Sequence, residues 1–205
     1  MRTELLGADV PGSLQRALGR LQAGGLVAFP TDTVYGLGAL AFDGGAIEGI
    51  YAAKGRDTER AIPILLGSAR MLSLIAGELD ARTRRLAAAF WPGPLTLVVP
   101  KNRKVPVAVS GSATVAVRVP AHDTALRLLR LSGPMAVTSA NLSGGTASRT
   151  ADEALSQLNG RVDLILDGGP APGGLPSTIV DCTGPELLIL RQGPVSLEEI
   201  RAALE

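Results

Sequence analysis

Six short, almost uninterrupted apolar runs recur along this chain, at 26–30, 62–66, 95–99, 115–119, 135–139 and 162–167. Between them leucine and isoleucine fall at helical spacing, as in Leu14, Leu18 and Leu21. A strand that is apolar along its whole length is buried on both faces, so a sheet of such strands needs helices on either side. The alternation therefore predicts an α/β sandwich. A late hairpin, 177–182 with 187–191, makes its sheet mixed rather than purely parallel.

The punctuation is equally regular. Pro11 and Gly24-Gly25 bracket a first helix, and Asp43 can cap a second that carries Ile47, Ile50 and Tyr51 into Lys54 and Arg56. Helical stretches are expected at about 69–76 and 80–90, near 124–131 with Asp123 as cap, and after Thr150. A capping box, Ser196-x-x-Glu199, opens the last one. Gly36 and Gly38 break the run from Val34 to Phe42, as where something approaches the backbone closely. Pro63 argues that the strand at 62–66 lies at an edge or a bulge. GGPAPGGLP at 168–176 is too rich in Gly and Pro for a regular element and is a surface connection or a lid. With no linker or repeat, residues 1–205 are expected to form one domain.

Composition removes several function classes. The chain is 46% apolar, enough for a real core, and its net charge of +1 gives no case for a nucleic-acid coat or a polybasic anchor. A single cysteine, Cys182, excludes an internal disulfide framework, and a single histidine, His122, excludes a zinc site of two or three histidines. No signal peptide and no run of membrane-spanning length is present, so a cytoplasmic protein without membrane contact is expected. Neither a P-loop, a dinucleotide fingerprint nor a nucleophile elbow occurs.

What remains are polar residues at strand ends. Pro30-Thr31-Asp32-Thr33 reads alone as a turn, Lys54-Gly55-Arg56 as charges complementing a helix dipole, and Ser139-Ala140-Asn141 as a cap. Yet Lys54 is one of three lysines in a chain with 17 arginines, and an ammonium beside a guanidinium, with Arg60 beyond, suits a polyphosphate. Ser139-Ala140-Asn141 follows a strand, where open α/β sheets bind ligands. Arg118, inside an apolar strand, either needs a partner or lies on an edge facing solvent. Ser177 and Arg191 flank the late hairpin.

In order, PTDTVYGLG, KGR, VAVRVP, SANLSG, STIVD and ILRQG resemble the YrdC-type domain of threonylcarbamoyl-AMP synthases, over about residues 12–195. The resemblance implies a twisted mixed sheet with flanking helices and a concave, positively lined cleft. It implies an enzyme that condenses L-threonine, bicarbonate and ATP, with Mg²⁺, into threonylcarbamoyl-AMP and pyrophosphate. The product would pass to a separate transferase that modifies tRNA next to the anticodon. By the same resemblance Lys54, Arg56, Ser139 and Asn141 surround the phosphates and the nascent carbamate. Thr33, Arg118, Ser139 and Ser177 contact L-threonine, with Arg118 on its carboxylate, and Arg60 and Arg191 join the nucleotide set. No protein ligand for the metal is implied.

Two departures stand out. Where longer members carry a histidine, this chain has Pro63-Ile64-Leu65-Leu66, and KGRP is KGRD, with Asp57 beside the cations. Two other readings compete. One is an RNA-binding module, for tRNA or double-stranded RNA, using Lys101-Asn102-Arg103-Lys104; its low aromatic content, 3%, counts against it. The other is a YciO-type paralogue with a different substrate, against which the intact KGR and SAN elements stand.

Overall fold

In a computed structural model, residues 2–205 are described, and the strands and helices alternate as the periodicity predicts. The strands are β1 (Glu4–Gly7), β2 (Val27–Phe29), β3 (Gly36–Leu40), β4 (Ile64–Leu65), β5 (Leu95–Pro100), β6 (Thr114–Arg118), β7 (Met135–Ser139), β8 (Leu164–Asp167), β9 (Thr178–Asp181) and β10 (Leu188–Arg191). The helices are α1 (Ser13–Gln22), α2 (Gly44–Lys54), α3 (Leu72–Ile75) behind a 3₁₀ turn at Ala69–Met71, α4 (Ala81–Phe90), α5 (Asp123–Ser132), α6 (Ala151–Leu158) and α7 (Leu197–Ala202). All ten strands form one sheet, in the order β1-β8-β2-β3-β7-β4-β6-β5-β9-β10. Four pairings are parallel (β1/β8, β2/β8, β4/β6, β5/β9) and the other five antiparallel. No described helix is long and apolar enough to cross a membrane.

Successive side chains of a strand point to opposite faces, and the core divides accordingly. Val27, Phe29, Met135, Val137, Leu164 and Leu166 pack under α1 and α5. Their neighbours Ala28, Ala136 and Ile165 belong to the second core, which takes in α2, α3, α4, α6 and Ile200 of α7. Each fully buried aliphatic or aromatic side chain contributes roughly 1.5–3 kcal/mol, so a strand apolar on both sides is held twice. Past α5 the first face changes character. Leu65 and Val137 are followed there by Thr96 of β5 and Arg118 of β6, whose neighbours Leu95, Leu97 and Val117 turn to the other core.

The local signals act mostly where expected. Asp43 accepts a hydrogen bond from the Ala46 N–H at 3.0 Å, Thr150 from that of Glu153 at 3.2 Å, and Ser196 and Glu199 form the capping box. Three expectations need correction. β4 is interior, between β7 and β6; Pro63 lies just before its ladder, where its missing N–H costs nothing, and its carbonyl accepts from Val137 N–H at 2.8 Å. Asp123 is the first residue of α5, not its cap, which is His122. The edge strand β1 was not expected, because four half-exposed residues carry no strand period.

The glycines of β3 make room for the neighbouring strand. A Cβ on Gly38 would lie 2.9 Å from Val137 Cγ2 and from Met135 Cε, and 3.3 Å from the Ala136 carbonyl. Met135 can yield, but the stiff valine and the backbone cannot. Gly38→Ala is therefore expected to destabilise the protein by about 1–3 kcal/mol, read as a lower urea midpoint at an unchanged slope.

Candidate functional site

The uncovered part of that face floors a cavity of about 280 Å³. Six of the nine residues singled out by the sequence line it: Thr33, Arg56, Arg118, Ser139, Ser177 and Arg191. A larger, more open depression of about 460 Å³ lies at the other ends of β3 and β7, between Leu40, Phe42 and Pro134. Its polar side chains are Asp43, which caps α2, and Ser132, so the residues singled out by the sequence gather in the smaller cavity instead.

Arg118 is buried, and its partner comes from the chain itself. Nη2 is ion-paired with Asp32, Nη1 donates to Thr33 Oγ1 at 3.0 Å, and Nε donates to the Gly93 carbonyl at 2.9 Å. One guanidinium thus ties the PTDT turn, β6 and the turn after Trp91 together. The edge-strand alternative for Arg118 is excluded, because β6 is interior and the residue is 5% exposed.

Thr31 Oγ1 donates to the Val34 carbonyl at 2.7 Å, accepts from the Thr33 and Val34 N–H groups at 3.2 and 3.3 Å, and lies 3.0 Å from Thr33 Oγ1. Segment 168–176 is fastened to this turn, and its last residue, Pro176, lines the cavity. The Gly174 N–H donates to the Thr33 carbonyl at 2.7 Å, and a Cβ on Gly173 would lie 2.6 Å from the Asp32 carbonyl oxygen. Ala171, fully buried, donates its N–H to the Arg149 carbonyl at 2.7 Å, while most of the segment stays exposed, a surface connection anchored at these points.

KGR and SAN form one unit. Lys54, at the end of α2, is 3% exposed, and its ammonium donates to the carbonyls of Ser139 and Asn141 beneath the cavity. Burial, reinforced by Arg56, lowers its pKa to about 8. The Asn141 amide donates to the Leu142 and Gly145 carbonyls at 2.7 and 2.9 Å, leaving its buried Oδ1 without a partner. Lys54 and Asn141 therefore do not line the cavity themselves; they shape the loop that presents Ser139.

The other two arginines of the cavity are held by carbonyls. Arg56 donates to the Ala61 carbonyl at 3.1 Å, and Arg191 to the Ser177 carbonyl at 3.0 Å. Neither makes an ion pair among the described residues. Burial lowers both pKa values, in Arg56 with help from Arg60, the direction an incoming anion would reverse. Ser177 Oγ also lies 2.7 Å from Thr96 Oγ1. Arg60 stays exposed outside the cavity and contributes its carbonyl, which accepts from Tyr51 Oη at 3.1 Å.

Asp32, Thr31 and Thr96 escaped the sequence reading as site residues. The signal for Asp32 was there, since a buried arginine demands a carboxylate; Thr96 had none, sitting in an unremarkable strand. Asp57 accepts from the Glu59 N–H at 3.0 Å in its own turn, and in the stretch where longer family members carry a histidine Pro63 and Leu65 line the cavity. Lys101 donates to the Ser110 carbonyl within its own loop. Burial pushes the Cys182 thiol up to about 11, which removes it as a nucleophile at neutral pH.

Three arginines and several hydroxyls thus converge on one cavity of a mixed-sheet α/β domain. The chain belongs to the Sua5/YciO/YrdC family, whose model, described as "Telomere recombination", matches residues 20–193. It is 44% identical over 190 residues to the threonylcarbamoyl-AMP synthase of Pyrococcus abyssi, covering 92% of this chain and 56% of that protein. It is 43% identical over 189 residues to a putative threonylcarbamoyl-AMP synthase of Mycobacterium tuberculosis, covering 92% of this chain and 87% of the relative. The crystal structure of P. abyssi Sua5 complexed with L-threonine superposes with a TM-score of 0.94 at 40% identity, over all of this chain and 61% of that one. E. coli YciO superposes at 0.85 with 26% identity, over 97% of this chain and 98% of that one. The chain thus spans somewhat over half the length of the P. abyssi relative.

Two outcomes follow from the geometry. Arg118→Ala leaves a buried carboxylate unpaired and is expected to cost roughly 3 kcal/mol in urea unfolding, against under about 1 kcal/mol for Arg56→Ala. The Lys54 ammonium is present at pH 7 and lost as the pH rises through about 8. A pH–rate profile should therefore fall above that value, and Lys54→Arg, always charged, should carry the falling limb to higher pH.

Proposed function

We propose that this domain is an L-threonylcarbamoyladenylate synthase, joining L-threonine, bicarbonate and ATP with release of pyrophosphate. The observation that carries the reading is the division of labour among the three arginines. Arg118 is neutralised in place by Asp32, whereas Arg56 and Arg191 face the same cavity with no carboxylate at ion-pairing distance among the described residues. One subsite suits a small carboxylate, the other a string of phosphates. The relatives named threonylcarbamoyl-AMP synthase and the L-threonine complex of P. abyssi Sua5 support this choice.

In the proposed reaction Arg118 and Thr33 hold the amino acid, with Ser139 and Ser177 on the surrounding wall. The amine nitrogen adds to the carbon of carbon dioxide, formed from bicarbonate as water leaves, and gives up a proton. A carbamate oxygen then attacks the α-phosphorus, and its bond to pyrophosphate breaks. Arg56 and Arg191 offset the negative charge on the departing phosphates, and Lys54 adds positive charge from beneath the 139–141 loop. Enclosure of the reacting atoms protects the carbamate and the mixed anhydride from water.

Mg²⁺ is proposed to arrive with the nucleotide. No group of three or more His, Cys, Asp or Glu side chains among the described residues could hold a metal, so phosphate oxygens and water would be its ligands, and it would neutralise phosphate charge. The product is proposed to serve a separate transferase acting on tRNA in the cytoplasm.

The test is pyrophosphate release from ATP with L-threonine and bicarbonate omitted singly. Release that needs both supports the synthase; release indifferent to threonine favours the YciO-type reading, and tRNA binding without turnover the RNA-binding one. Arg56→Ala is expected to lower turnover more than about tenfold with the circular dichroism spectrum unchanged, and full activity in that variant would remove Arg56 from the mechanism.

A further inference from the structure

A guanidinium has five N–H donors and no acceptor. In Arg118 the Nε proton goes to the Gly93 carbonyl, one Nη1 proton to Thr33 and one Nη2 proton to Asp32. One proton on each terminal nitrogen is left, and the group lines the cavity. A carboxylate can accept from either or both of these N–H groups.

Asp32 does not line the cavity, and its side chain is 11% exposed. One of its oxygens holds Arg118, and the other, Oδ2, is buried without a hydrogen-bond partner. The carboxylate is thus spent on fixing the guanidinium and on cancelling its charge. A ligand with a carboxylate alone would leave this buried corner with a net negative charge, which a low-dielectric site disfavours. A ligand that carries an ammonium beside its carboxylate adds no net charge. Arg56 and Arg191 would not relieve the imbalance when phosphates engage them.

We infer that Asp32 is a positioning residue that makes the Arg118 subsite select α-amino acids over simple carboxylic acids. It does so by aiming the two free guanidinium protons and by balancing their charge, and the inference rests on the proposed reading of the cavity as an L-threonine site.

The experiment is calorimetric titration of the full chain, saturated with a non-hydrolysable ATP analogue, with L-threonine and with 3-hydroxybutyrate, which lacks only the amine. The wild-type protein is expected to prefer L-threonine by about 100-fold or more. Asp32→Asn should weaken L-threonine at least about tenfold and narrow the preference to within about tenfold. An unchanged preference in Asp32→Asn overturns the inference even if both affinities fall, because loosening the turn alone weakens both ligands alike. Should that variant not fold, Asp32→Glu, which keeps the charge, is expected to hold the preference within about threefold of wild type, and a collapse there overturns the inference as well. If the wild-type protein binds neither ligand, the synthase reading falls and takes this one with it; if it binds L-threonine normally while the variants discriminate as before, only the role of Asp32 falls.

Discussion

The buried Arg118–Asp32 ion pair organises everything around it. A guanidinium this far from water needs an opposite charge and acceptors for its protons, and that demand draws three separate pieces of chain to one point. The PTDT turn supplies Asp32 and Thr33, β6 supplies the guanidinium, and the turn after Trp91 supplies the Gly93 carbonyl. Removing any one of them leaves a polar group stranded in the interior. Such a pair does little for net stability, but it admits only one arrangement of the three segments, and the cavity takes its shape from that arrangement.

A second constraint comes from the distribution of helices. α1 and α5 cover only part of their face of the sheet, and where they stop the strand residues change from Leu and Val to Thr and Arg. Cavity and core are therefore two regions of one surface, separated by the edge of a helix layer. Lys54 repeats the logic on the other flank. Its ammonium is consumed by two carbonyls of the 139–141 loop, so the end of α2 and the end of β7 are fastened by the same group that gives the site part of its charge.

Much of this was legible in the sequence. The apolar runs were long enough to declare double-sided burial, and the caps at Asp43, Thr150 and Ser196 act locally, so they can be read without knowing the fold. Pro63 misled because a proline rule cannot tell an edge strand from the residue just before an interior one; the register with β7 decides that, and register is a tertiary property. β1 was silent because its order comes from β8, some 160 residues away. Within the site, motif order foretold which side chains converge, and six of them do line one cavity. What the motifs could not show is that Lys54 and Asn141 turn inward to brace a loop. Nor could they show that the partner of Arg118 is Asp32, since the two lie 86 residues apart and meet only through the tertiary fold.

The hydroxyl of Thr33 sits at a junction. It accepts from Arg118 Nη1 at 3.0 Å and lies 3.0 Å from the Thr31 hydroxyl, whose own proton goes to the Val34 carbonyl. A disturbance of the turn is therefore felt by the guanidinium, and a disturbance of the guanidinium by the turn, through a single oxygen atom.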